Sequence, residues 1–249
     1  MKKWKQALCI VLIIMGVLVV AAVAIGILNA TVFDGAINFG WTDYRYESDG
    51  YTAGEGTVFD AGITSVSVDW LEGDVQIEVC QDDFISVSEF GEGVLSEAQQ
   101  LHWRVTDGTL SVKSRESAWF FGSDPEKKLV LRIPEKMLAQ LDLLSVASHD
   151  GDVTLKMVSA HSVNVECKDG DVWATMPQTP QALRITAKDG KASIQLPKNA
   201  SFRLNWIKNE GALVTNFAAV ENNGYVVGSG ESQFDITTDD EDLIVEFLP

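Results

Sequence analysis

Apolar and small residues recur at fixed offsets around a turn glycine. They stand seven, five and three places before it, then two, four and six places after it. Around Gly151 these positions hold Leu144, Val146 and Ser148, then Val153, Leu155 and Met157. Around Gly170 they hold Val163, Val165 and Cys167, then Val172, Ala174 and Met176. Around Gly190 they hold Leu183, Ile185 and Ala187, then Ala192, Ile194 and Leu196. Further copies surround Gly73, Gly108 and Gly211, and a last one has Glu241 in place of the glycine. Strict alternation of this kind predicts a strand with one buried face and one wet face. The break at Gly predicts two such strands joined by a tight turn, which Gly enters without steric cost and which the preceding Asp suits through local side-chain bonds.

The turn residues Gly151, Gly170, Gly190 and Gly211 follow one another at intervals of 19, 20 and 21 residues. A near-constant period of about 20 residues predicts an all-β chain, a β-solenoid of stacked two-strand coils. Successive coils would lie about 4.8 Å apart. In register, Val165, Ile185 and Trp206 would stack inside. Asp150, Asp169, Asp189 and Glu210 would align at the turns, with Lys168, Lys188 and Lys208 in a parallel ladder. The alternative is an antiparallel hairpin sandwich, since strand, Asp-Gly loop and strand is also a hairpin pattern. The wider gaps flanking Gly108 hold extra material. Ile85 and Val87 predict one added strand; Leu129, Leu131 and Ile133 predict another, ended by Pro134.

Ala7 to Leu28 is uncharged and almost wholly apolar, long enough as a helix to cross a bilayer core. Lys2, Lys3 and Lys5 precede it, and no basic residue follows until Arg45. That asymmetry predicts a cytoplasmic N-terminus, a single-pass anchor in the cell membrane, and an extracytoplasmic bulk. A cleaved signal peptide is the alternative, for which Leu28-Asn29-Ala30 is a poor cleavage site. The expected organisation is a tail and anchor over 1–28, a stalk or N-terminal cap over 29–62, and a β-repeat body over 63–249. The C-terminal copy around Glu241 is expected to cap the far end.

The whole chain carries a formal charge of −17. Beyond the anchor stand all 36 acidic residues against 16 basic ones, a formal charge of −20. Nucleic acid is excluded as a natural partner for such a body. Charge on wet faces also keeps β-edges from pairing between molecules. Cys167 is expected to point inward and Cys80 outward, which argues against a disulfide. No paired Cys or His at short spacing suggests zinc.

The phrases "HDGDVTL", "KDGDVWATM" and "AKDGKASIQLP", after "LVLRIPEKMLAQLDLLSV", resemble the DUF4097 β-strand-repeat family of bacterial cell-envelope proteins. The resemblance covers roughly Ile63 to Phe247. It rests on the strand, Asp-Gly, strand repeat and on the strand-to-Ile133-Pro134 step. It implies the layout seen here, one membrane span before a β-repeat domain, and the label of an adhesin. It also implies membership of envelope-stress and regulatory systems. It brings no catalytic residue or cofactor.

The chemistry that remains is sparse. His102, His149 and His161 fall in no nucleophile or metal pattern. Paired acids recur with every coil, which suits turn-building better than one acid–base pair. Stacked carboxylates repel unless offset, and calcium would offset them, so Asp150, Asp152, Asp169 and Asp171 are the candidate metal ligands. Trp173, one step out of phase, and the run Trp119, Phe120 and Phe121 form a candidate contact patch. The expected function is a non-enzymatic adhesin or accessory protein meeting a cell-wall polymer or another envelope protein. The rival is an enzyme acting on wall polysaccharide, which an isolated, nonrepeating carboxylate pair would favour.

Overall fold

The computed structural model describes residues 41–59, 62–121, 124–218, 220–221, 224–239 and 241–249. The expected anchor, Ala7–Leu28, and the beginning of the expected stalk lie outside them. Among the described residues no helix is long and apolar enough to cross a membrane. They fall in two compact units. In the first, Trp41–Tyr44 pairs antiparallel with Ala118–Phe121. The second comprises Arg45–Ser117 and Asp124–Pro249. It is all-β apart from two short 3-10 turns, and its described strands form one sheet of eleven and one of nine.

The alternation explains the two sheets. In six of the seven repeats the strand before the turn joins the first sheet, and the strand after it joins the second. Ser65–Glu72, Leu143–Asp150, Ser162–Asp169 and Ala182–Asp189 lie side by side, parallel and in register. Val75–Cys80, Val153–Lys156, Val172–Thr175 and Ala192–Leu196 do the same in the second sheet. Equal offsets from the turn therefore bring like positions together. One column runs Val68, Val146, Val165, Ile185; another runs Ile77, Leu155, Ala174, Ile194. All eight side chains are buried in one continuous core.

The glycines are required by the stacking. A Cβ on Gly151 would stand 2.4 Å from the Gly73 carbonyl carbon, and one on Gly190 only 2.0 Å from the Gly170 carbonyl oxygen. Each turn thus rests backbone to backbone on the one before.

Four sequence expectations are corrected. The Gly108 repeat is an antiparallel hairpin within the first sheet, His102–Thr106 against Thr109–Lys113. Its turn puts Asp107 and Gly108 both at positive φ, 51° and 73°, as a tight hairpin turn demands. The repeat around Glu241 does not cap the end. Ser232–Thr238 lies between Ala182–Asp189 and Phe202–Ile207, and Leu243–Phe247 between Ala192–Leu196 and Leu213–Thr215. Spatial order therefore departs from chain order, and the Gly211 unit, though made earlier, lies outermost of the stacked units. Ile236, not Trp206, is the neighbour of Ile185, and neither Glu210 nor Lys208 follows directly on the Gly190 unit. Finally, Met157 is 48% exposed with φ +57°, while Val158 is buried in its stead.

At the Gly73 end of the stack each sheet adds one more parallel strand and then continues with antiparallel pairings. Beyond Ser65–Glu72 come Thr109–Lys113, His102–Thr106 and Thr52–Ala53. Beyond Val75–Cys80 come Lys127–Pro134, Phe84–Gly91 and Gly56–Phe59, which include both strands expected from the insertions. At the other end Tyr225–Val227 runs antiparallel to Phe202–Ile207. There the side chain of Asn216 imitates a strand: its Oδ1 accepts the Phe247 N–H at 2.8 Å, and its Nδ2 donates to the Phe247 carbonyl at 3.1 Å.

Candidate functional site

The turn edge concentrates the acidic residues, and the stacking gives them work. Where an aspartate follows the turn residue, as after Gly73, Gly151, Gly170 and Glu241, it accepts a backbone N–H from the neighbouring turn. Asp74 Oδ1 takes that of Asp152 at 3.2 Å, Asp152 Oδ1 that of Asp171 at 2.8 Å, and Asp171 Oδ1 that of Lys191 at 2.8 Å. Asp242 does the same for Ala212 at 2.7 Å. A charge-assisted bond to an otherwise exposed amide stabilises each junction.

The residue three places before the turn works on the carbonyl side. Ser148 Oγ donates to the Gly151 carbonyl at 3.1 Å, Cys167 Sγ to that of Gly170 at 3.2 Å, and Thr238 Oγ1 to that of Glu241 at 3.0 Å. Burial, reinforced by Asp152, Asp171, Asp169 and Asp150, pushes the Cys167 thiol up to about 12, so it stays protonated and is a poor nucleophile. Cys80 and Cys167 are both free thiols.

The aspartates before the turn glycine are placed differently. Asp150 and Asp169 are register partners, as are Glu72 and Asp150, and Asp150 and Asp169 are exposed. Partial burial, then repulsion from Asp150, Asp124 and Glu126, raises Glu72 above its ordinary range. The four candidate metal ligands thus divide. Asp152 and Asp171 each give an oxygen to a backbone amide, while Asp150 and Asp169 face water. Among the described residues no group of three His, Cys, Asp or Glu side chains converges as a metal site. On the first sheet's outer face His149 lies between two charges, with Nδ1 3.0 Å from Lys168 Nζ and Nε2 3.5 Å from Asp69 Oδ1.

Trp173 stands on the outer face of the second sheet, 40% exposed, between its register partners Thr154 and Ser193. Beside this row Thr175 Oγ1 donates to Gln195 Oε1 at 3.3 Å. Trp119 is 48% exposed, on the antiparallel pair of the other unit; the side chains of Phe120 and Phe121 lie outside the described residues.

One polar cluster escaped the sequence reading. Lys127, 1% exposed, pairs with Glu89 at 2.7 Å and donates to the Gln99 carbonyl. Glu89 accepts the Leu101 N–H with both oxygens, at 2.9 and 3.0 Å. Trp70 Nε1 donates to the Lys127 carbonyl at 2.7 Å. Nearby Arg115, equally buried, pairs with Asp124. The signal was phase: Lys127 precedes Leu129 by two places, and Glu89 follows Val87 by two. Opposite charges in phase with apolar residues on neighbouring strands mark a buried pair.

No curated protein matches the chain. A solved structure described as a "putative cell adhesion protein" from Clostridium sporogenes is 13% identical, over 79% of this chain and all of that one, with a TM-score of 0.62. It shares the fold. Another, a "putative adhesin" from Bacteroides fragilis, is 11% identical over 81% of this chain and 98% of that one, with a TM-score of 0.34. Residues 142–246, from the Gly151 unit through the C-terminal one, match the family model described as Toastrack DUF4097.

Proposed function

We propose that this protein is a membrane-anchored, extracytoplasmic β-solenoid of the adhesin type, which holds a polar contact face towards cell-wall polymer and catalyses no reaction. The observation that carries this reading is the row Thr154, Trp173 and Ser193, with Thr175 and Gln195 beside it, on an outer face. Parallel register fixes the spacing of these side chains at about 4.8 Å per unit. An exposed indole flanked by hydroxyls and amides offers a stacking surface and hydrogen bonds, which suits the apolar face and hydroxyls of a sugar unit. The cell-adhesion name of the Clostridium sporogenes structure agrees with this reading, and the N-terminal apolar run with its preceding lysines supports the anchoring.

The test is co-sedimentation of the detergent-solubilised full chain with purified wall sacculi. Trp173→Ala is expected to lower the bound fraction at least fivefold without changing the melting temperature by more than a few degrees, while Glu166→Gln on the opposite sheet leaves binding intact. Equal binding by all three proteins, or none by the wild type, would overturn the assignment. Protease added to intact protoplasts checks the topology: the Ile63–Pro249 body is expected to be digested.

A further inference from the structure

The geometry points to a second binding site, a pocket for one neutral sugar ring at the edge where the chain crosses from the second sheet back to the first. It shares no residue with the Trp173 row and stands or falls separately from it.

That edge is built from stacked crossings. The 3-10 turn Glu135–Gln140 leads into the Gly151 unit, residues 157–161 join that unit to the Gly170 unit, and residues 176–181 continue to the Gly190 unit. Backbone bonds hold the crossings in step. The His161 N–H donates to the Leu141 carbonyl and the Gln181 N–H to the His161 carbonyl, both at 2.9 Å, and the Ser162 N–H donates to the Asp142 carbonyl at 2.8 Å. The middle crossing departs from the repeat. Met176, six places after its glycine, is buried, but Met157 at the same offset turns outward with φ +57°. Val158, Ser159 and Ala160 are then buried in succession. The extra step encloses a serine hydroxyl.

A cavity of about 150 Å³ opens between these crossings. Ser159 lines it and is only 5% exposed; its buried Oγ has no hydrogen-bond partner among the described residues. A dry, unpaired hydroxyl is costly, and one that faces a cavity can both donate to and accept from what enters. Asp142, His161, Gln178 and Gln181 form an exposed rim, with Thr179 half-buried. Leu141 and Ala160 supply buried apolar wall.

This lining selects its ligand. Carboxamides and hydroxyls offer donors and acceptors together, as the hydroxyls of a sugar require. Neither lysine nor arginine lines the cavity, so no permanent cation offsets the charge of a phosphate or carboxylate. The volume is about half the roughly 300 Å³ at which pockets for drug-sized ligands begin, which limits the occupant to a single ring. Apolar wall with a few convergent polar groups suits the C–H face and hydroxyl edge of such a ring. Glycosidic hydrolysis ordinarily takes two carboxyl groups, and Asp142 supplies the one carboxylate of this lining. The site therefore binds rather than cleaves.

The test is saturation-transfer NMR on the detergent-solubilised full chain, with glucose, N-acetylglucosamine and a glucose phosphate as probes. Saturable binding of a neutral sugar is expected, with a dissociation constant on the order of millimolar, and binding of the phosphate at least about tenfold weaker. Ser159→Ala removes a hydroxyl that no protein group uses, so the melting temperature should hold or rise while sugar affinity falls about five- to tenfold. Gln181→Ala, on the exposed rim, should weaken binding by a similar factor and gives the answer if the buried variant misfolds. Trp173→Ala should leave binding at this site unchanged. Displacement of the bound monosaccharide by soluble N-acetylglucosamine oligomers would identify a glycan chain as the source of the ring, and failure of displacement a free sugar. The inference is overturned by no saturable binding of either neutral sugar, by equal binding of the phosphate, by loss of binding in Trp173→Ala, or by full retention in both Ser159→Ala and Gln181→Ala.

Discussion

The Asp171 carboxylate accepts the Lys191 backbone N–H at 2.8 Å, while the N–H of Asp171 itself is taken by Asp152. One residue type serves both sides of a junction, which accounts for the recurrence of Asp after the turn glycine. Asn keeps an acceptor oxygen, so Asp171→Asn should change stability little. Asp171→Ala leaves the Lys191 amide without its partner and should cost about 1 kcal/mol. If the carboxylates serve the backbone, a chelator leaves the melting temperature of both wild type and Asp169→Asn/Asp171→Asn unchanged. A rise of several degrees with added calcium, lost in the double variant, would instead make this edge a metal site.

Gly190 isolates the effect of stacking from that of backbone conformation, because its φ lies outside the left-handed region while a Cβ would stand 2.0 Å from the Gly170 carbonyl oxygen. Backbone cannot yield as a side-chain end can. Gly190→Ala should therefore cost more than about 3 kcal/mol, as overpacking that forces neighbouring units apart. Gly62 has a φ of +74° and nothing within 4 Å of its would-be Cβ. Gly62→Ala should cost about 1 kcal/mol, from backbone strain alone. Urea melts that rank these variants in the opposite order would refute the role given to the glycine column.

Much of this was legible in the chain because period-2 burial is a local property. The offsets around Gly151, Gly170 and Gly190 placed every inward residue of those units correctly except Met157, where the turn takes one extra step. Pairing partners are a different matter. The repeats around Gly211 and Glu241 carry the same offsets as the others, so nothing in them says that the last-made unit lies inside the one before it. That order is set by contacts distant in sequence, such as Asn216 with Phe247 and Trp206 with Thr238. The Gly108 repeat shows the same limit: Asp107-Gly108 reads alike for a turn between sheets and for a hairpin within one. The Asp ladder was visible as a repeat, but its donors are backbone amides, which leave no trace in composition.

Glu72 makes the acidic edge sensitive to pH. Burial and the neighbouring Asp150, Asp124 and Glu126 raise its pKa, so the folded state holds its proton at pH values where the unfolded chain has lost it. The contribution is fully present below the ordinary glutamate range and is lost as pH rises through the folded value. At neutral pH the charged form is therefore a destabilising presence. Glu72→Gln should melt higher than the wild type at pH 7, and the difference should shrink as pH falls towards about 4.5. A constant difference across that interval would show that Glu72 titrates normally.

Lys127 and Glu89 test whether the buried pair acts as a unit. Burial lowers the Lys127 pKa, opposed by the hydrogen bond and charge of Glu89. Lys127→Met leaves Glu89 enclosed with only the Leu101 amide, and the Gln99 carbonyl loses its donor. Breaking one partner of such a pair typically costs about 3–5 kcal/mol. Glu89→Gln keeps an acceptor for Leu101 but leaves the ammonium uncompensated in a dry site, a cost of the same kind. In the double variant no buried charge remains, and the amide can still meet Leu101. The double variant should therefore be more stable than the sum of the single losses predicts, by at least about 1 kcal/mol. Urea denaturation of the four proteins measures that coupling. Strict additivity would mean that the pair is solvated or not formed, and that Trp70 and the Gln99 carbonyl hold this end of the core without it.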